Sequence, residues 1–288
     1  MRQRRVKGID EKIAVYADLI LPNSTEESVE DSASENNPFV PLFNAQGTAE
    51  HLFVEPSDAV KLHDAQKVMV YPSVQLLPSG RPVRWYQRTS PRYMLPEGYD
   101  RAYAEFGCGR GRFINEMAAE DPKALYIGIE GCKTVVVKAM AKTRAAGLEN
   151  IRFIDAFINE AGAAFDEDSL DGVFLNFSDP WPKDRHASRR LSAPEKARAY
   201  QRILKPGGMV VFKTDGEEFF KYSIVSFSGA GFHIIGPACE NGAPSAAASS
   251  GVALSGEVAD RAVATPTEYE QRFRALGQPI YHFIAAKR

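Results

Sequence analysis

An apolar run beginning at Leu170 ends in Asn176-Phe177-Ser178-Asp179-Pro180-Trp181-Pro182-Lys183, and Arg185-His186-Ala187-Ser188-Arg189-Arg190 follows almost at once. The carboxylate of Asp179 therefore stands at a strand end beside an indole. Four fixed positive charges, on Lys183, Arg185, Arg189 and Arg190, lie close behind it. These residue types suit holding a nucleic-acid base next to its own backbone, with cations on phosphates and the acid and ring at the base. Upstream, Glu105-Phe106-Gly107-Cys108-Gly109-Arg110-Gly111 reads as a loop for a nucleotide or cofactor. Together the two segments suggest an enzyme that modifies a nucleic-acid base, by methyl transfer.

Gly107, Gly109 and Gly111 alternate between an apolar strand and a helical pattern, where missing side chains let the backbone turn tightly and approach a ligand. The dinucleotide fingerprint is incomplete, because its last glycine falls on Arg112, and the Lys-Ser/Thr of a P-loop is absent. Glu105 is a poor neighbour for a pyrophosphate. It suits the positive amino group of S-adenosylmethionine, directly or through water. Glu130 closes the second strand nineteen residues after Gly111, a place from which an acid accepts both ribose hydroxyls. Asp155, closing the third strand, can accept the exocyclic amine of an adenine. The competing reading of the same residues is an ordinary nucleotide loop with acids that cap helices.

Regular organisation starts near Arg101. Short apolar strands at 102–106, 124–130, 151–154, 170–177 and 209–213 alternate with helical patterns at 113–120, 133–146, 157–165, 194–204 and 217–228. Strands at 232–235 and 280–284 complete the set. This alternation predicts an α/β fold, a doubly wound and mostly parallel sheet of seven strands covered on both faces. Residues 101–288 are expected to form that domain, with an Ala/Ser-rich flexible excursion over 236–262. Residues 1–100 read as an N-terminal extension with a basic start, partly irregular. Ser, Glu and Asn dominate 22–38, and prolines interrupt 39–99, leaving one or two short strands such as Val68–Tyr71 or Val74–Leu77.

A net charge of −2 argues against a general nucleic-acid coat protein but not against local basic faces. Such faces occur at 2–12, 81–92 and 183–190, and only the last abuts the reactive strand. Three cysteines, Cys108, Cys132 and Cys239, are too few and scattered for a disulfide framework or a zinc site, so no metal is expected and a reducing cytoplasmic compartment fits. No run approaches the ~20 apolar residues that span a bilayer. No membrane partner and no obligate protein partner is inferred, and monomer and homodimer both stay open.

In these motifs the chain resembles the bacterial tRNA (guanine-N7)-methyltransferase family. The resemblance covers Glu105–Gly111, Ile127–Glu130, Asn150–Phe153 with Asp155-Ala156, Asn176–Lys183, Arg185-His186, Arg189–Leu191, Lys213–Asp215 and Thr267–Glu270. It spans roughly 101–235 and 263–286 and is poor over 13–100. Ser188 stands where the family usually has Lys, and Ser178 where it often has Pro. The resemblance implies S-adenosylmethionine as methyl donor and N7 of a guanine in the variable loop of tRNA as acceptor. It assigns the cofactor to Glu105, Gly107, Gly109, Gly111, Glu130, Asp155 and Ala156, with Asp179 at its edge and as the catalytic residue. It assigns tRNA to Lys183, Arg185, His186, Arg189, Arg190, Asp215, Thr267, Glu268, Tyr269 and Glu270. Trp181 is left with two roles, stacking on the base or walling the turn. Two rival functions remain at this point: methyl transfer to a protein or small molecule, and an RNA-binding module without turnover.

Overall fold

A computed structural model describes residues 8–21, the strand segments 39–43, 49–53, 60–63 and 68–70, Tyr93, and residues 95–157, 164–240 and 256–288. Met1–Glu26 and Ser90–Arg288 cluster as one unit and Glu27–Thr89 as a second. Residues 8–21 thus group with the large unit, whereas the sequence reading places its division at residue 100. The short helix α1 (Ile9–Ala14) lies in that part. The second unit contains two antiparallel strand pairs, β1 (Phe39–Phe43) with β2 (Ala49–Phe53) and β3 (Val60–His63) with β4 (Val68–Val70). The strand expected at Val74–Leu77, the basic face at 81–92 and most of that at 2–12 lie outside the described residues.

The large unit alternates strand and helix as the apolar pattern predicts. In order come β5 (Arg101–Phe106), α2 (Arg112–Glu120), β6 (Ala124–Ile129), α3 (Lys133–Ala145), β7 (Ile151–Ile154) and β8 (Leu170–Asn176). A 3₁₀ turn at Asp184–Arg189 leads to α4 (Pro194–Ile203), β9 (Leu204–Thr214), α5 (Glu217–Gly229) and β10 (His233–Glu240). The chain finishes with α6 (Glu257–Ala264), α7 (Glu268–Ala275) and β11 (Ile280–Ala286). One seven-stranded sheet runs in the order β10-β11-β9-β8-β5-β6-β7. Its strands β5 to β9 pair in parallel, and β11 is antiparallel to both neighbours. Successive residues of a strand feed opposite faces, so Tyr126 packs with Phe113, Met140 and Phe153 while Ile127 packs with Phe106, Tyr200 and Phe212.

The order reverses between β5 and β8. Such a switch point opens a crevice at the carboxyl ends of the strands, the general ligand position in doubly wound sheets. The far edge strand β7 is covered by the N-terminal segment, since Leu21 N–H donates to the Phe153 carbonyl at 2.9 Å. Arg144 of α3 lies over the Tyr16 ring at 4.7 Å and ties the same segment down.

Two expectations change. The excursion expected over 236–262 is regular at both ends, since β10 continues to Glu240 and α6 begins at Glu257. The strand expected over 232–235 thus runs on through Gly236-Pro237, where the pairing with β11 shifts register between Ile235 and Ala238 and Gly236 takes φ 55°. A bulge absorbs residues that a regular ladder rejects. Val258, Ala259 and Ala262 bury one face of α6. The centre of the excursion, 241–255, lies outside the described residues, as does most of the helix expected at 157–165. Among the described residues no helix is long and apolar enough to cross a membrane.

Candidate functional site

The glycine loop joins β5 to α2 at the switch point. Gly107 and Cys108 N–H groups both donate to the Ile129 carbonyl, at 2.8 and 3.0 Å, which pins the loop to the end of β6. Gly107, Gly109 and Gly111 all have left-handed φ, at 79°, 56° and 74°. At Gly111 a Cβ would also lie 2.5 Å from the Ala139 Cβ, so only glycine lets α2 pack on α3. Glu130, just beyond β6, braces the loop from the other side. One of its carboxylate oxygens accepts from Gly109 N–H at 3.2 Å and the other from Cys132 N–H at 2.8 Å. Each oxygen keeps a second lone pair for a ligand hydroxyl. Asp155 and Ala156 follow β7 and are half-buried. Lys133 lies between Asp155, at 3.9 Å, and Asp10, at 2.7 Å.

Glu105 and Asn176 end adjacent strands and meet in the crevice. Asn176 Nδ2 donates to Glu105 Oε1 at 2.9 Å. Glu105 Oε2, Asn176 Oδ1 and Ser178 Oγ are buried and have no hydrogen-bond partner among the described residues. Three orphaned polar atoms at one strand end are unusual, because each costs desolvation energy that nothing returns. Burial drives the Glu105 carboxyl up to about 8, against the Asn176 hydrogen bond and the positive charge of Lys213, and Glu268 and Glu130 push it further up. A ligand with a cationic amine supplies what this cluster lacks, donors for the acceptors and a charge opposite to the acid. The residues thus fit the methyl donor that the sequence resemblance implies. Asn176 was not singled out for the cofactor from sequence. Its signal was a lone carboxamide at the end of an apolar strand.

The chain leaving β8 is contorted. Phe177 and Trp181 take left-handed φ of 49° and 39°, conformations that cost a bulky residue roughly 1–3 kcal/mol and recur at functional sites. Between them Asp179 is exposed, with no salt bridge to a described residue. Trp181 is a wall as well as a surface, since His186 meets its ring edge-on at 5.8 Å and the Arg189 guanidinium covers it at 4.9 Å. Lys183, Arg185 and Arg189 are exposed and make no salt bridge to a described acid, while His186 is half-buried. Arg190 is turned inward onto the turn itself. Asp215 follows β9 and is half-buried near Tyr269, whose hydroxyl is pushed up by burial and by that carboxylate.

The Thr267–Glu270 stretch opens α7 and divides. The Thr267 side chain and Glu270 form a capping box. Glu270 is fully buried and accepts from Lys213 Nζ at 2.8 Å, and it takes two further bonds from Arg274 at 2.9 and 2.7 Å. Both side chains are therefore engaged inside the fold. Glu268 and Tyr269 reach the surface, Glu268 paired with Lys142 and Tyr269 packed between Phe177 and Phe273. Lys213, which sequence reasoning placed only within a motif, is the buried cation behind the site.

Residues 100–283 match a family profile described as a putative methyltransferase. A curated relative from Bacillus velezensis, named tRNA (guanine-N(7)-)-methyltransferase, is 37% identical over 179 residues, which is 62% of this chain and 76% of the relative. One of the same name from Geobacillus kaustophilus is 35% identical over 210 residues, 68% of this chain and 90% of the relative. Another from Streptococcus sanguinis is 38% identical over 184 residues, 64% and 80% of the two chains.

Proposed function

Because this chain belongs to the tRNA (guanine-N(7)-)-methyltransferase family, we propose that it methylates N7 of a guanine in the variable loop of tRNA, in the cytoplasm, with S-adenosylmethionine as donor. One observation supports this reading above the others. The buried, unpartnered acceptors at the carboxyl end of the sheet run directly into an exposed loop whose cations meet no described acid. Methyl transfer to a small molecule has no use for that loop.

The donor supplies an electrophilic methyl group on a sulfonium. Neutral guanine has an in-plane lone pair at N7 and no proton there, so the protein needs no base to unmask the nucleophile. Its task is alignment, and compensation of the positive charge that grows on the purine. Glu105, with Asn176 beside it, would hold the amine end of the donor, and Glu130 and Asp155 would hold its nucleoside end. Asp179 faces the guanine and offsets its developing charge. Asp215 and Tyr269 border the same crevice and grip the base edge, while Lys183, Arg185 and Arg189 take phosphates. The guanine leaves its stack to reach them.

Nucleoside mass analysis of tRNA incubated with enzyme and donor tests the reading. N7-methylguanosine should appear, and fragment mapping should place it in the variable loop. Donor turnover on protein or small-molecule acceptors with unmodified tRNA would overturn it.

A further inference from the structure

The basic run 183–190 is not one surface. We infer that Arg190 is a positioning residue that clamps the Asp179-Pro180-Trp181 turn from behind, and that it is not one of the phosphate contacts. The inference rests on the function proposed above and concerns which cations of the loop serve RNA.

Arg190 Nε donates to the Pro180 carbonyl at 2.9 Å and its Nη2 to the Trp181 carbonyl at 3.1 Å. The rigid planar fork of a guanidinium thus bridges the two peptide groups that follow Asp179. One face of that plane is covered too. Its central carbon lies 4.2 Å from the centroid of the Tyr222 ring, within the range of a cation–π contact. Tyr222 belongs to α5 and stacks on Phe219, which packs edge-on against Phe212 of β9. A continuous line of contacts therefore connects the turn bearing Asp179 to the core of the sheet.

The backbone after Arg190 is fastened in the same direction. Tyr200 OH donates to the Leu191 carbonyl at 3.1 Å, and the Ser192 and Ser223 hydroxyls hydrogen-bond to each other at 2.7 Å. Ser192 and Ala193 have no exposure. Arg185 and Arg189 contrast with this. Both are exposed, and the Arg189 guanidinium lies over the Trp181 ring. The turn needs a clamp because Trp181 is held at φ 39°, a conformation that persists only where surroundings over-determine it. Misplacing a reacting group by about 1 Å costs on the order of 10²-fold in rate, so the clamp acts on chemistry through Asp179 without touching substrate.

The test compares Arg190→Lys, Arg190→Ala and Tyr222→Leu with the wild type. It measures the salt dependence of tRNA binding, donor affinity, single-turnover methyl transfer with donor and tRNA saturating, and amide exchange of residues 177–183. Arg190→Lys keeps the charge and loses the fork. It should slow the methyl-transfer step by about ten-fold or more and speed exchange in 177–183. The salt slope and donor affinity should stay at wild-type values. Arg190→Ala should do the same, and Tyr222→Leu should shift rate and exchange in the same direction, adding little when combined with Arg190→Ala. A normal rate and normal exchange in Arg190→Lys would overturn the clamp. So would a fall of about 0.7–0.9 in salt slope in Arg190→Ala, the signature of one lost phosphate contact. Amide exchange needs no activity, so a wild-type protein that leaves tRNA unmethylated would refute the proposed function and still report on the clamp.

Discussion

Glu105 carries a proton problem that the methyl donor can solve. Its carboxyl is held up to about 8, chiefly by burial, so in the donor-free protein near pH 7 it is mostly protonated. A cationic amine placed against Oε2 ionises it. Donor binding at pH 7 should then release about one proton, counted by calorimetry in buffers of different ionisation enthalpy, and Glu105→Gln should abolish the release. The sign for stability follows. The folded pKa lies above the unfolded one, so this group makes the donor-free protein less stable as pH climbs from the ordinary carboxylate range to about 8, and contributes no further change above that. Thermal melts of Glu105→Gln should show that slope flattened. Asp179 poses the opposite case, an exposed acid held by a strained turn. Asp179→Asn keeps shape and removes charge, so the single-turnover rate should fall by about 10²-fold while donor and tRNA affinities change less. A near-normal rate would leave Asp179 with the turn geometry alone and shift the electrostatic role to Asp215.

At the scale of elements, α7 is held to the sheet by charge. Lys213 Nζ also donates to the Thr265 carbonyl at 2.7 Å and lies 5.2 Å from the Phe113 ring centroid, so the ammonium is enclosed on several sides. Burial pushes Lys213 down and Glu270 opposes the shift. Breaking such a pair leaves a buried charge without its counter-ion. Glu270→Gln should therefore cost about 3–5 kcal/mol in urea-unfolding experiments. Lys213→Met with Glu270→Gln should recover part of that loss, because removing both charges also removes the uncompensated one. If tRNA affinity falls in Glu270→Gln with stability intact, Glu270 meets RNA directly and the structural role fails. The same pair positions Tyr269, since the capping box fixes the first turn of the helix that carries it.

For the whole molecule, a net charge of −2 leaves tRNA attraction to local faces. The outward cations Arg185 and Arg189 should together account for a loss of about 1.4–1.8 in the slope of log affinity against log salt when both become Ala. Filter-binding titrations from low to moderate salt check this, with donor binding unchanged. An unaltered slope would make the two residues a solvated face.

Much of this protein was legible along the chain. The seven strands, the switch-point loop and the acids at strand ends follow from short apolar runs alternating with helical patterns and from glycines at left-handed positions, which depend on near neighbours in sequence. The direction of each charged side chain was not legible, because its partners are distant. Arg189 and Arg190 are adjacent in one basic run, yet one lies on the Trp181 ring and the other on Tyr222 of a later helix. Glu270 reads as a surface acid in Thr-Glu-Tyr-Glu until the sheet brings Lys213, 57 residues earlier, against it. The strand expected over 232–235 continues through Gly236-Pro237 because the ladder with β11 absorbs a bulge there. In each case a local motif allows several environments, and packing against remote elements selects one. That selection, made by desolvation and by which donors and acceptors find partners, belongs to the tertiary structure alone.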